Sequence, residues 1–412
     1  MRSETEIETR ATLIIQEANA LDPEARARFL DTQCASDPIL HARVQARLAS
    51  APNPDDWAGA DLDALSAGKR RESIAEGTVL EGTLIGAYRI IRLLGSGGFG
   101  SVYLAEQDEP VRRHVALKIL KLGMDTDEIV RRFEAERQVL ALMNHQAVAK
   151  VFDAGVTERG RPFFVMEFVP GVSIGKYCDQ ERLGTRERVQ LFVDVCHAIQ
   201  HAHQKGIIHR DIKPSNILVT LVDARPQPKV IDFGIAKAIR DSSAARTLQT
   251  IPGVAIGTPE YMSPEQADTE GQDVDTRTDV YALGMVLYEL LTGALPHTLD
   301  RTRRPSVFEL REWVKSGETI RPSTRISMLG EELDLVSEKR STTPTALRRE
   351  LRGELEWIIL KALERDRTLR YGSVFELGED LARFLANEPV SAGPPTASSR
   401  ARKVCSRHRG AV

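Results

Sequence analysis

Cysteine is scarce in this 412-residue chain: Cys34, Cys178, Cys196 and Cys405 are its only four, and they lie far apart. That spacing suits neither a paired metal-ligand motif nor a secreted disulfide framework, so a reducing compartment, the cytoplasm, is expected. An excess of either charge is also lacking. The 56 Lys and Arg against 59 Asp and Glu leave a net charge of -3, which gives no bulk attraction to nucleic acid. No apolar run reaches the length of a membrane span; the longest, Val280 to Leu291, is short and carries Glu289. The opening Met1-Arg2-Ser3-Glu4 is polar, without the basic start and apolar core of a secretion signal. What remains is soluble globular composition, 42% hydrophobic and 28% charged, in a chain long enough for a two-lobed domain or several units.

Helix signals come first. Asp22-Pro23-Glu24 and Asp37-Pro38 each set a capping carboxylate before a proline, and Phe29, Leu30, Leu40, Val44 and Leu48 follow at helical period. With Thr12 to Ala20 they predict three short helices within residues 1–50. Residues 51–83 shift to Pro, Ala, Gly and Asp around Lys69-Arg70-Arg71, which is linker composition. Tyr88 to Leu94, Ser101 to Glu106 and Val115 to Leu120 then read as strands, and from Thr185 to Phe384 helical period dominates. A strand-rich part before a helix-rich part predicts an α+β fold of two lobes. Residues 387–412 read as a basic, poorly ordered tail.

Gly95-Ser96-Gly97-Gly98-Phe99-Gly100 contains G-x-G-x-x-G, a pattern shared by several nucleotide-binding folds. A dinucleotide fold needs a helix directly after the glycines, whereas Ser101-Val102-Tyr103-Leu104 continues as a strand. The loop therefore predicts a hairpin whose backbone N–H groups can approach phosphate oxygens. On the next strand Lys118 is flanked by Ala116, Leu117 and Ile119, and burying its ammonium is costly without an anion. Ile129, Phe133, Glu136, Leu140 and Met143 share one helix face, making Glu136 the carboxylate in want of a cation; Glu134 lies off that stripe.

In Ile207-Ile208-His209-Arg210-Asp211-Ile212-Lys213-Pro214-Ser215-Asn216-Ile217 a polar string sits between apolar runs. It holds a proton acceptor, a charge stabiliser and a metal-binding amide, the groups that phosphoryl transfer requires. Val230-Ile231-Asp232-Phe233-Gly234 ends a second apolar strand with a carboxylate suited to Mg²⁺.

Taken together, from about Leu84 to Phe384, these motifs resemble the bacterial eukaryotic-like serine/threonine protein kinase family. The resemblance implies a two-lobed kinase fold over residues 84–386, with a β-rich N-lobe and a helical C-lobe, behind the small helical region. It implies serine/threonine kinase activity with ATP and Mg²⁺, or Mn²⁺, as cofactors. Gly95, Ser96, Gly97, Gly98, Phe99 and Gly100 would cover the phosphates, and Lys118, held by Glu136, would pair with two of them. Asp211 would orient the attacking hydroxyl, Lys213 would neutralise developing charge, and Asn216 with Asp232 would hold metal. Adenine would lie against Val102 and Ala116, bond to the backbone at Glu167 and Val169, and meet Met166 at the back of the pocket. Gly257-Thr258-Pro259-Glu260-Tyr261 resembles serine/threonine rather than tyrosine kinases. Glu265 would pair with Arg370, and Asp279 would anchor the catalytic loop.

Arg210 beside Asp211 implies control by a phosphorylated activation segment, with Ser242, Ser243, Thr247 and Thr250 as acceptors of autophosphorylation. The basic Arg400-Ala401-Arg402-Lys403 and Arg407-His408-Arg409 resemble the segment that precedes a membrane span in longer relatives, implying membrane proximity. Two rivals stand beside catalysis: a scaffold that binds partners without transfer, and a phosphotransferase for small hydroxyl compounds. Lys118, Asp211, Asn216 and Asp232 argue against the first, and the Gly257 to Glu265 segment against the second.

Overall fold

The computed structural model describes residues 81–97, 100–120, 143–158, 160–233, 259–267, 274–297, 314 and 317–393. The expected N-terminal helices, the linker, Glu134, Glu136, Gly98, Phe99, Thr258, the four activation-segment acceptors and the end of the tail lie outside them.

Six strands form an antiparallel sheet: β1 Leu84–Ile85, β2 Tyr88–Ser96, β3 Gly100–Gln107, β4 Arg113–Leu120, β5 Val151–Val156 and β6 Pro162–Glu167, in the order β1-β2-β3-β4-β6-β5. The three strands read from alternation are all present, each longer than its apolar core. Strand period two then sorts the side chains. Tyr103, Ala105, Val115, Leu117, Ile119, Phe163 and Val165 pack on one face as a cluster of their own. Ala116, Leu120, Phe164 and Met166 belong to the other face and join the large core of the helical lobe. Lys118 shares that second face by parity, so a one-residue slip in β4 would point it into the wrong cluster.

The C-lobe contributes β7 Val172–Ser173, α1 Ile174–Gln180, α2 Thr185–Gln204, β8 Ile217–Val222, β9 Arg225–Val230, α3 Pro264–Ala267 and α4 Arg277–Thr292. After these come α5 Pro322–Ser327, α6 Glu332–Glu338, α7 Pro344–Leu351, α8 Glu354–Ala362 and α9 Val374–Leu385. Helix α4 is apolar nearly all round and is accordingly buried along almost its whole length. It ends at Gly293, whose φ of 73° suits the left-handed cap that glycine adopts without strain. Helix α9 approaches α2 closely: a Cβ on Gly378 would lie 3.3 Å from the Cβ of Cys196.

The start of the tail is held rather than loose. Asp380 on α9 accepts from the Ser391 N–H at 2.8 Å, the Ala392 N–H at 3.0 Å and the Ser391 hydroxyl at 2.8 Å. Composition around Pro389 and Ser391 hides this, because the partner is a buried carboxylate on another element. Among the described residues no helix is long and apolar enough to cross a membrane.

Candidate active site

Strands β2 and β3 form the expected hairpin, with Ser96 opposite Ser101 and the Gly97 N–H donating to the Gly100 carbonyl at 2.9 Å. Gly100 is obligatory for packing: an added Cβ would stand 2.2 Å from the Ile119 carbonyl oxygen on β4. The glycine run thus serves the hairpin turn and also the seating of β3 against β4. Val102 pairs with Lys118, and Ala116 with Met166. The residues expected around adenine are therefore neighbours on one sheet face, with Ala116 and Met166 buried.

Lys118 is buried with its ammonium on the carboxylate of Asp232, an ion pair that spans the two lobes. The anion that Lys118 was expected to need is thus present, supplied by Asp232; the other expected partner, Glu136, lies outside the described residues.

Between β8 and α2 the catalytic loop folds back on itself. Lys213 Nζ lies 3.1 Å from Asp211 Oδ2. The Asn216 amide donates to the Asp211 carbonyl oxygen at 2.8 Å and to Asp211 Oδ2 at 3.2 Å, which turns its own oxygen away from Asp211. Two residues of this region take left-handed backbone angles, Arg210 at φ 63° and Asp232 at φ 58°. Such angles cost about 1–3 kcal/mol each for non-glycine residues and persist only where surroundings over-determine them.

The surroundings do so. Asp279, fully buried at the start of α4, accepts from the His209 N–H at 2.7 Å and the Arg210 N–H at 2.9 Å, and shares a 2.8 Å hydrogen bond with His203 Nε2. Burial pushes the Asp279 carboxyl up, but the His203 hydrogen bond and the charges of His203 and His209 outweigh it and hold the group below the usual range. Gln266 adds a bond from its amide to the Arg210 carbonyl at 2.9 Å.

His209 links the loop to Asp232. Burial lowers its pKa, against the pull of Asp279, Asp211 and Asp232, and so favours the neutral ring. That ring accepts the Asp211 N–H at its Nδ1, 3.3 Å away, and reaches the Ile231 carbonyl through Nε2 at 3.1 Å. It also stacks on Phe233 with centroids 4.6 Å apart.

A second buried ion pair closes the lobe. Arg370 forks onto Glu265 at 2.7 and 2.9 Å while also donating to the carbonyls of Glu364, Arg277 and Arg365. Thr278 completes the carboxylate at 2.8 Å. Burial raises the Glu265 carboxyl, yet the Arg370 hydrogen bond and charge bring it below its ordinary value. The Glu265–Arg370 pair and the Asp279 anchor of the catalytic loop, both implied by the resemblance, are present.

His203, Gln266 and Thr278 were not foreseen. Each is a common residue on a helix, and only the fold brings it to Asp279, Arg210 or Glu265.

The donor set at the expected metal position is oxygen only, an amide on Asn216 and a carboxylate on Asp232, which suits a hard divalent cation. The carboxylate already draws a cation, the Lys118 ammonium. Among the described residues no group of three or more His, Cys, Asp or Glu is arranged to hold a metal unaided. Such a pair fits Mg²⁺, which binds through one or two carboxylates together with substrate phosphates.

Comparison with known proteins bears on the same region. The family described as "Protein kinase domain" matches residues 88–373. Serine/threonine-protein kinase PknB of Mycobacterium tuberculosis is 38% identical over 310 residues, which cover 74% of this chain and 44% of the relative. Serine/threonine-protein kinase Pkn1 of Myxococcus xanthus is 42% identical over 219 residues, 53% of this chain and 30% of that one. The chain thus spans less than half the length of these curated relatives. Among solved structures, a double mutant of the Mycobacterium tuberculosis PknI kinase domain aligns with a TM-score of 0.52 at 25% identity, covering 75% of this chain and 100% of that one. With the two-lobed architecture, these similarities establish that the chain belongs to the protein kinase family, in its bacterial, eukaryotic-like serine/threonine branch.

Proposed function

We propose that the chain transfers the γ-phosphoryl group of ATP to serine and threonine hydroxyls of proteins, itself included, as a cytoplasmic kinase with its catalytic domain over residues 84–386. The observation that carries this reading is the convergence of Lys213 and Asn216 on the Asp211 carboxylate, at 3.1 and 3.2 Å, together with a buried lysine of the N-lobe bonded to Asp232.

In this reading Asp211 accepts a hydrogen bond from the substrate hydroxyl and orients its oxygen toward the γ-phosphorus. As the new oxygen–phosphorus bond forms, the bond to the β–γ bridging oxygen breaks, ADP departs with the electron pair, and Asp211 receives the proton. Lys213 sits beside Asp211 to neutralise charge on the transferred group, and Lys118 releases Asp232 to hold the inner phosphates. Asn216 and Asp232 would hold Mg²⁺, which supplies charge neutralisation of the phosphates when bound. Gly95, Ser96, Gly97, Gly98, Phe99 and Gly100 would cover the phosphates, and Val102, Ala116 and Met166 would enclose the base beside the backbone of Glu167 and Val169. Glu136 is the proposed alternative partner of Lys118. Autophosphorylation at Ser242, Ser243, Thr247 or Thr250 would relieve the cation at Arg210.

The test is transfer of labelled γ-phosphate by the wild-type chain and by Asp211→Asn, with the modified residues identified. Phosphoserine or phosphothreonine made by the wild type alone supports the reading. Nucleotide binding with no transfer to any protein, in Mg²⁺ or Mn²⁺, would favour a scaffold.

A further inference from the structure

Glu167 has a side chain that the nucleotide reading leaves without a role. Its backbone is the last step of the β4–β6 ladder, opposite Val115, before the chain crosses into the C-lobe. Its carboxylate is engaged at both oxygens. Oε1 receives Lys229 Nζ at 2.5 Å, and Oε2 accepts the Lys150 N–H at 3.2 Å. The Glu167 N–H donates in turn to the Lys150 carbonyl at 2.8 Å. Lys229 belongs to the other lobe: it sits on β9, paired with Leu218 of β8, three residues before Asp232. With only 13% of the Lys229 side chain and 26% of that of Glu167 exposed, the pair is partly shielded from water and from salt.

The backbone beside it is tightly laced. The Ala149 N–H donates to the Val230 carbonyl, and the Val230 N–H to the Ala147 carbonyl, both at 2.9 Å. One ion pair therefore joins the segment expected to receive the adenine ring to β9, the strand that leads into Asp232 at the phosphate end. It forms part of the wall of a cavity of about 460 Å³ that also includes Lys150, Thr220 and Gln227. Glu167 and Val169 line that cavity while Val102, Lys118, Met166 and Asp211 do not, so the tie flanks the segment expected to receive adenine.

We propose that Lys229 is a positioning residue for ATP: acting through Glu167, it fixes the spacing between the adenine end and the phosphate end of the cleft. The proposal rests on the nucleotide reading above. Without the tie the interlobe segment samples other positions, the binding-competent fraction falls, and apparent affinity falls by the same factor. Once ATP is bound it bridges both ends itself, so chemistry at saturation changes little.

The experiment uses the full chain, with Mg-ADP binding measured by calorimetry and ATP turnover on casein measured for KM and kcat. Lys229→Met is expected to weaken ADP binding and raise the ATP KM by about three- to tenfold, with kcat within about twofold. Lys229→Arg should recover most of the loss. Glu167→Gln should weaken ADP binding by the same factor as Lys229→Met, and the double variant should bind ADP no worse than either, because both break the same pair. Unchanged ADP affinity in Lys229→Met overturns the proposal while leaving the nucleotide reading intact. So do independent, multiplying losses in the double variant, or a parallel fall in kcat that Lys229→Arg does not restore. A wild-type chain that fails to bind Mg-ADP would overturn the nucleotide reading itself and the tie with it.

Discussion

Behind the catalytic loop, on the α4 side, Arg370 and Glu265 expose 0% and 3% of their side chains, and Asp279 exposes none. In the cleft, Lys118 and Asp211 each keep 10% exposed, Lys213 20% and Asp232 26%. The first group is sealed and saturated with hydrogen bonds, so it can exchange partners only by unfolding. The second is paired but reachable, so a ligand can take over its charges. Charged groups thus do different work according to access to water: behind the loop Asp279 holds the unusual backbone angle of Arg210, and between the lobes the paired groups stay within reach of a ligand.

Substitutions on the two sides should therefore separate activity from stability. The largest effect is expected from Asp211→Asn, which should lower phosphoryl transfer by about 10²–10⁴-fold with the denaturation midpoint nearly unmoved. Arg370→Met should do the opposite first. It leaves Glu265 buried without its cation and should destabilise by about 3–5 kcal/mol in denaturant titrations, activity falling only as folded protein is lost. Equal stability loss in both variants would break the distinction.

Asp279→Asn tests the boundary between the two sides. Its amide would face an N–H group that now donates to a carboxylate oxygen, costing about 1–3 kcal/mol. Because those N–H groups hold Arg210 at φ 63°, kcat should also drop, by about tenfold or more, with KM for ATP little changed. A loss of stability without loss of kcat would show that Asp279 does not position the loop.

The smallest effect concerns acidification. Burial, helped by the Arg325 charge, lowers the His297 pKa from 6.5 to about 4. Between those values the unfolded chain binds a proton that the folded chain refuses, so stability falls as pH falls from about 6.5 to about 4. Asp279 and Glu265 have the contrary timing: held below ordinary carboxyl values, their contributions are present above the unfolded pKa and are lost only in stronger acid. His297→Phe should flatten the stability curve in the 6.5–4 window by about 1–2 kcal/mol, the partial exposure of the ring keeping the effect modest. An unchanged slope would place the acid sensitivity elsewhere.

Much of this was legible in advance because it is local. The apolar run Val115-Ala116-Leu117 before Lys118 placed the lysine on a strand, and the strand after Gly100 separated a hairpin from a dinucleotide turn. The Asp211, Lys213 and Asn216 spacing brought the three together on one short loop. The middle of the C-lobe was much less legible. Pro322 and Pro344 lie in a region rich in Arg, Ser and Thr, yet each proline stands at the first turn of a helix, α5 and α7. The tail from Asn387 looked loose, and its first residues are bound to Asp380.

By itself the sequence determined the secondary-structure period and the inventory of groups for phosphoryl transfer, since these depend on neighbours a few positions away. Tertiary structure decided which distant groups complete each charge: Asp232 for Lys118, His203 with two loop N–H groups for Asp279, and Lys229 for Glu167. The reason is that a lone charge on a strand or helix announces only that it needs a partner of opposite sign, or water. Which partner it finds is set by how the lobes pack and how much solvent that packing leaves behind.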